Sequence, residues 1–406
     1  VDVSIGTLVL IPAIAVAAPL LVRALSRWIA VPLVVFEIVL GLLLGPATLG
    51  WIIPDDFASF LSEFGLAMLF FLAGNEIDFG TIRGRPLSRA AIGWVISLAA
   101  GFGIAVLLAP SLSAAAFIGV ALTSTALGTI MPVLRDSGDL RTPFGVAVIA
   151  LGAVGEFGPL LAISLFLSGR SPLVAALVLV AFAVVAGAAI WFAARGAGRR
   201  LHRIITATLH TSGQFGVRLV VLVLVALVAL SIVLDLDMLL GAFTAGVLYR
   251  LLLSGAPEHD VEIIEGKIEA LGYGFLVPVF FIYTGITFDL EALLADGRTL
   301  ALVPISLGLL LVVRGLPSLL AAPAGSSRRD LAATALFGAT GLPIIVAVTA
   351  IGVDAGDLTS GTAAALVGAG MLSVLLFPLI GLTLHRRSPG AASRKPDDDV
   401  HVPTEG

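Results

Sequence analysis

The stretch Phe70-Phe71-Leu72-Ala73-Gly74-Asn75-Glu76-Ile77-Asp78-Phe79 has a counterpart in Phe280-Phe281-Ile282-Tyr283-Thr284-Gly285-Ile286-Thr287-Phe288-Asp289. Each opens on two phenylalanines, carries a glycine about one helical turn later, and closes beside an aspartate. A second pair lies N-terminal to the first: Glu37-x-x-x-Gly41-x-x-x-Gly45 against Asp237-x-x-x-Gly241-x-x-x-x-Gly246. The offset is about 200 residues in both cases, the mark of an internal repeat.

Around these motifs the chain divides into thirteen apolar stretches, roughly 5–25, 31–50, 57–77, 88–108, 112–134, 143–167, 172–194, 213–233, 236–254, 269–287, 299–323, 330–352 and 361–384. Each is close to the ~20 residues that a helix needs to cross the ~30 Å hydrocarbon core of a bilayer. Only helices satisfy their backbone groups within one segment in lipid, so the expected fold class is an all-α polytopic membrane protein with about 13 transmembrane helices. Composition agrees. Of 406 residues, 59% are apolar and 12% charged, about half the charged share of a soluble domain. Twenty-three Lys+Arg and 27 Asp+Glu cannot cover a soluble globule of this size, which excludes a soluble enzyme, a nucleic-acid binder and a disordered chain. The net charge of -4 offers no basic excess to a phosphate backbone,. With no cysteine there is no disulfide, thiolate nucleophile or Cys metal site,.

Short loops rich in Lys and Arg stay on the cytoplasmic side. Loops after odd-numbered stretches, with the C-terminal tail, hold nineteen such residues, among them Arg23, Arg27, Arg83, Arg85, Arg89, Arg195, Arg199, Arg200, Arg203 and Lys395. Loops after even-numbered stretches hold only Arg170 and Arg298. The N-terminus is therefore expected outside and the C-terminus inside the plasma (inner) membrane. All five histidines, His202, His210, His259, His385 and His401, fall in inner loops or the tail and read as solvated polar residues. The expected division is a transmembrane domain over 1–385 and a short polar cytoplasmic tail over 386–406.

The repeat offset corresponds to seven stretches. Seven is odd, so the two copies enter the membrane from opposite sides. Repeat one would cover 1–168, a linker helix 172–194 and repeat two 213–385, giving two inverted six-helix units. Inverted repeats build many secondary transporters, whose sites lie near the midplane at Gly/Pro-broken helices in matching positions. The fifth stretch contains Thr123-Ser124-Thr125-Ala126-Leu127-Gly128, and the twelfth contains Gly338-Ala339-Thr340-Gly341-Leu342-Pro343. Five plus seven is twelve, so the two interruptions match. Close helix packing through small residues would explain either one alone; the matched pair favours unwinding at both.

Ionisable groups at membrane depth are costly and usually functional. Glu156 stands fifteen residues from Arg141 and fourteen from Arg170, about 22 Å of helix to either side, and so lies at the midplane. Arg314, between Arg298 and Arg328, is equally deep, while Glu37 and Glu76 lie nearer the inner face. The local sequence Val154-Gly155-Glu156-Phe157-Gly158-Pro159 leaves room beside the carboxylate. A carboxylate, the hydroxyls of Thr123, Ser124 and Thr125, and freed carbonyls are hard oxygen ligands suited to a monovalent cation, a proton, or both in turn. A buried Glu156–Arg314 pair that only fixes the fold is the competing reading, but such pairs are weak evidence for stability. Arg314 reads as a supporting charge, with Glu76 or Glu156 as its partner.

On these motifs the chain resembles the bacterial monovalent cation:proton antiporters, specifically their Kef/Nap-type branch of sodium/hydrogen exchangers. Pro32-Leu33-Val34-Val35-Phe36-Glu37 through Gly41 and Gly45-Pro46 is similar to the second-helix motif of that family. Phe70 to Asp78 is similar to its third-helix motif, and Pro278-Val279-Phe280-Phe281 with Gly285 to its tenth. The resemblance implies a scaffold half, helices 1–3 and 8–10, that forms a homodimer. It also implies a mobile core half, helices 4–6 and 11–13, in which broken helices 5 and 12 cross beside the ion. Glu156 takes the position of the family's ion-binding aspartate, Arg314 that of its basic residue, and Thr123–Thr125 that of the unwound segment. Gly128, Thr340, Gly341 and Pro343 belong to the breaks. The sequence departs from the family in having Gly155-Glu156 where two polar residues are usual, and arginine where lysine is frequent. Buried arginine keeps its proton, so Arg314 is no proton carrier.

The expected activity is one-for-one exchange of Na⁺ or K⁺ for a proton at Glu156 by an elevator motion, electroneutral because one group titrates. The partners expected are monovalent cations, protons, the lipid bilayer and a second copy of the chain, with no nucleic acid. No cofactor is expected, and no enzyme: no nucleophile or metal constellation stands at membrane depth. A sodium-coupled organic anion transporter of the same architecture and a gated K⁺ efflux pathway are the alternatives.

Overall fold

A computed structural model describes residues 5–25, 32–77, 79–167, 170–192, 214–253 and 258–388. Arg27, Asp78, Arg195, Arg199, Arg200, Arg203, His202, His210, His401 and the tail beyond Ser388 lie outside the described residues. The described chain is entirely helical, with no strand among these residues. We number its main helices α1 (Ile5–Leu25), α2 (Leu33–Leu44), α3 (Asp56–Glu76), α4 (Arg85–Leu108), α5a (Leu112–Ala121), α5b (Leu127–Ser137), α6 (Pro143–Phe166) and α7 (Pro172–Phe192). After them come α8 (Phe215–Val233), α9 (Met238–Leu253), α10 (Glu258–Leu271 with Val277–Ile286), α11 (Gly297–Leu309 with Leu316–Ser318), α12a (Arg328–Gly338), α12b (Pro343–Asp354) and α13 (Ser360–Arg386). Nine helices among the described residues are long and apolar enough to cross a membrane, and four shorter apolar helices accompany them.

Local chemistry sets the boundaries. Asp55, Ser111, Thr142, Ser327 and Thr359 each cap a helix by accepting a backbone N–H in its first turn,. α2 stops at Leu44 because Pro46 holds Gly45 extended,. α10 begins at Glu258, eleven residues before the apolar stretch that starts at 269. Its first turns, Glu258-His259-Asp260-Val261-Glu262, are charged and escape an apolar window, yet they continue the same helix. Two π-helical stretches, Gly272–Leu276 and Leu310–Gly315, each end two residues before a proline, Pro278 and Pro317. A proline cannot donate to the carbonyl four residues back, and the ladder widens to five: Val277 N–H reaches Gly272 O and Leu316 N–H reaches Leu311 O,.

Burial separates the helices. In its most apolar window α6 is 78% buried, and the α12 pair equals it, whereas α1 is 17% buried and α4 and α8 are each 22%. Leu8, Val16, Leu107, Leu173 and Val233 project outward, as expected of surfaces facing acyl chains. Packing between helices runs through the motif glycines. α2 lies on the second half of α10, and α3 lies on α9. A Cβ at Gly41 would collide with the Ile282 carbonyl oxygen, and one at Gly285 with that of Ile38. Gly74 meets Phe243 O and Gly246 meets Phe71 O in the same way. Small residues thus bring backbones together where lipid supplies no hydrophobic drive for association.

His385 departs from the solvated reading. It is buried at the end of α13, stacked on Phe144 with ring centroids 3.9 Å apart. Its Nδ1 lies 2.7 Å from Asp330 Oδ1 and its Nε2 3.4 Å from Asp139 Oδ1. Asp139, in the loop after α5b, and Asp330, in the first turn of α12a, converge on the ring, a long-range pairing that residue spacing does not reveal. His259 is exposed, as expected.

Candidate functional site

The site begins with a proline. Pro159 sits inside α6 and has no N–H, which leaves the Gly155 carbonyl without its donor in the helix,. The Thr125 N–H, in the interruption between α5a and α5b, fills that vacancy at 3.0 Å. Glu156 follows Gly155 and so projects at the interruption. Its Oε1 accepts the Leu127 N–H at 2.8 Å, at the N-terminus of α5b, where unpaired N–H groups and the helix dipole favour negative charge. Its Oε2 is buried and has no hydrogen-bond partner. The residue as a whole is 4% exposed.

The second interruption packs against the first. Ala126 N–H donates to Thr340 O at 2.7 Å, and the Thr125 hydroxyl donates to Gly338 O at 2.6 Å. Donors of one break thus satisfy acceptors of the other, the condition for irregular backbone at membrane depth. Gly341 lies against Ser124, where a Cβ would come within 2.6 Å of its Oγ. Pro343 opens α12b, where its missing N–H costs nothing,. Ser373 on α13 completes the arrangement: its Oγ accepts the Gly341 N–H at 3.1 Å and shares its proton between Gly341 O (3.0 Å) and Gly370 O (2.8 Å). Sequence reading missed Ser373; its only signal was a lone hydroxyl in the middle of an apolar helix.

The named residues reach the site in different ways. The Thr123 and Ser124 hydroxyls turn back to Val120 O and Ala121 O of their own helix. Of the three hydroxyls only that of Thr125 reaches beyond its own segment. Arg314 is fully buried in the π-helical stretch of α11. It donates from Nε to Thr125 Oγ1 and from Nη2 to Leu151 O, each at 2.8 Å, while Nη1 has no partner. Among the described residues Arg314 forms no ion pair with Glu156 or Glu76; its hydrogen bonds go to the break and to α6 instead. A Cβ at Gly155 would press on Thr125 and stand 2.9 Å from Arg314 Nη2, so the guanidinium occupies the room this glycine leaves. Glu76 accepts from the Tyr273 hydroxyl at 3.0 Å, and its second oxygen is buried without a partner. Gly128, in the first turn of α5b, lines with Glu156, Glu37, Thr129, Tyr273 and Pro343 a cavity of about 90 Å³.

The described residues thus bring together two interrupted helices and set a buried carboxylate at their junction. The fold is that of the sodium/proton antiporters: the structure is similar to that of the sodium proton antiporter MjNhaP1 from Methanocaldococcus jannaschii, with a TM-score of 0.65 and 18% identity, over 93% of this chain and 98% of that one. The chain belongs to the transmembrane sodium/hydrogen exchanger family, whose sequence pattern matches residues 13–384. It is 26% identical over 413 residues to YjbQ of Bacillus subtilis (strain 168), covering 97% of this chain and 65% of YjbQ. It is also 26% identical over 280 residues to a Na(+)/H(+) antiporter of Enterococcus hirae, covering 65% of this chain and 69% of that protein. The chain thus spans about two thirds of the length of the curated relatives it matches.

Proposed function

We propose that the protein exchanges Na⁺ or K⁺ for protons across the plasma membrane, with Glu156 as the group that holds the two in turn. The observation that carries this reading is the state of the Glu156 carboxylate: one oxygen is held by the Leu127 N–H, and the other is buried without a partner. A buried oxygen of this kind is costly unless something fills its valence, and a proton or an alkali cation does so. Ionised and unbound, Glu156 crosses poorly, because nothing offsets its desolvation; loaded with either ion it crosses readily. One carboxylate serving both ions makes the exchange electroneutral, and Arg314, which keeps its proton, leaves the count unchanged.

The motion is an elevator: helices α4–α6 and α11–α13 carry Glu156 past a scaffold of α1–α3 and α8–α10. The scaffold forms the homodimer, α7 links two inverted repeats, and the N-terminus lies outside. The partner exchange of the glycine pairs supports the repeat, since α2 with α10 and α9 with α3 are the same pairing under a seven-helix shift. Reconstitution with a pH-sensitive dye, adding NaCl, KCl or LiCl in turn, tests the function. Alkalinisation or acidification driven by a cation alone, with no net current, is the expected result. A response that needs an organic anion, or cation flux without proton countermovement, contradicts it.

A further inference from the structure

Glu37, on α2, is 2% exposed. Among the described residues no hydrogen bond or ion pair reaches its carboxylate, unlike that of Glu76, which has Tyr273. It lines the same cavity of about 90 Å³ as Glu156, well above the ~10–15 Å³ of probe volume that a single water requires. The cavity lies on the boundary between the two halves. Glu37, Leu69 and Val277 come from α2, α3 and α10, and Gly128, Glu156 and Pro343 from α5b, α6 and α12b. The nearest buried cation, Arg314, is committed to Thr125 and Leu151. Gly128 also lines the cavity, and its carbonyl lacks the usual helical donor because Pro132, four residues on, has no N–H,.

We propose that Glu37 is a second ion-binding carboxylate, which closes on a monovalent cation from the scaffold side while Glu156 Oε2 and the Gly128 carbonyl hold it from the core side. The inference rests on the exchange reading above and extends its site across the sliding boundary. Two carboxylates and a backbone carbonyl are hard oxygen donors suited to an alkali cation. Two carboxyls in one enclosed volume with no counter-charge cannot both stay ionised unless a positive ion stands between them, so each either binds a proton or shares a cation. Because Glu37 belongs to the static half, it serves the ion only in the conformation that places the core site opposite it. Cation affinity is then higher on that side of the membrane than on the other.

The test uses the full chain, wild type and Glu37→Gln, with NaCl as the probe. Exchange is measured in proteoliposomes, and Na⁺-dependent thermal stabilisation in detergent, a readout independent of transport. Glu37→Gln is expected to raise the half-saturating NaCl concentration in both assays by about ten- to a hundredfold, the worth of one charged ligand contact. Glu37→Asp keeps the charge but withdraws it by one methylene, so it shifts both values less and in the same direction; it decides the matter should the glutamine variant not fold. Wild-type NaCl dependence in either folded variant overturns the proposal and leaves the exchange reading standing. Exchange that survives Glu156→Gln overturns the exchange reading itself.

Discussion

The Thr125 N–H donates to the Gly155 carbonyl at 3.0 Å, across the gap between an interrupted helix and a continuous one. Pro159 frees that carbonyl, the interruption frees that N–H, and neither group has an alternative partner in its own helix,. The contact fixes where Glu156, the next residue, meets the start of α5b. A methyl group at Gly155 would press on the Thr125 side chain and on Arg314 Nη2. Gly155→Ala is therefore expected to destabilise the protein by about 1–3 kcal/mol, the usual cost of overpacking, and to slow exchange. Thermal unfolding in detergent beside a vesicle assay checks both; unchanged stability would contradict the packing.

Ser373→Ala tests the support of the second break. The variant removes the acceptor of the Gly341 N–H and a donor to Gly341 O. Leaving a buried backbone group unpaired costs about 1–3 kcal/mol. The expected outcome is a fall in unfolding temperature together with a loss of exchange rate at unchanged half-saturating cation concentration.

Arg314→Lys separates shape from charge. The guanidinium reaches Thr125 Oγ1 and Leu151 O at once, each at 2.8 Å, and a single ammonium cannot reproduce that fork. Stability is expected to drop by about 1.5–3 kcal/mol, the worth of one charged hydrogen bond. Full stability in the lysine variant would show that the charge alone suffices.

Much of this was legible in the sequence. Apolar stretches located the helices, because lipid allows few alternatives. The Thr/Ser/Gly run at 123–128 and the Gly/Thr/Pro run at 338–343 were visible because those residue types rarely fall together in a helix by chance. Contacts between distant segments were not visible. The Thr123 and Ser124 hydroxyls bond their own helix, a choice of rotamer that residue type leaves open. Ser373, and the burial of His385 between Asp139 and Asp330, depend on which helices become neighbours. Glu37 was placed near the inner face from its position, but its sharing of a cavity with Glu156 needed three dimensions.

If a proton and a cation compete one for one at a single carboxylate, the half-saturating cation concentration should fall about tenfold for each unit rise in pH within the range where protons dominate. The sign follows from competition: fewer protons leave more of the site open to the cation. A slope near hundredfold per unit would mean two protons per cation and would contradict electroneutral exchange.

The most direct measurement is exchange by Glu156→Gln in proteoliposomes, beside the wild type at matched protein content. The amide keeps the size of the side chain and a hydrogen-bond acceptor for the Leu127 N–H, but it can neither take up a proton nor balance a cation's charge. The account predicts a folded, monodisperse variant with no cation-driven proton movement at any pH. Exchange at wild-type rate in that variant would contradict it.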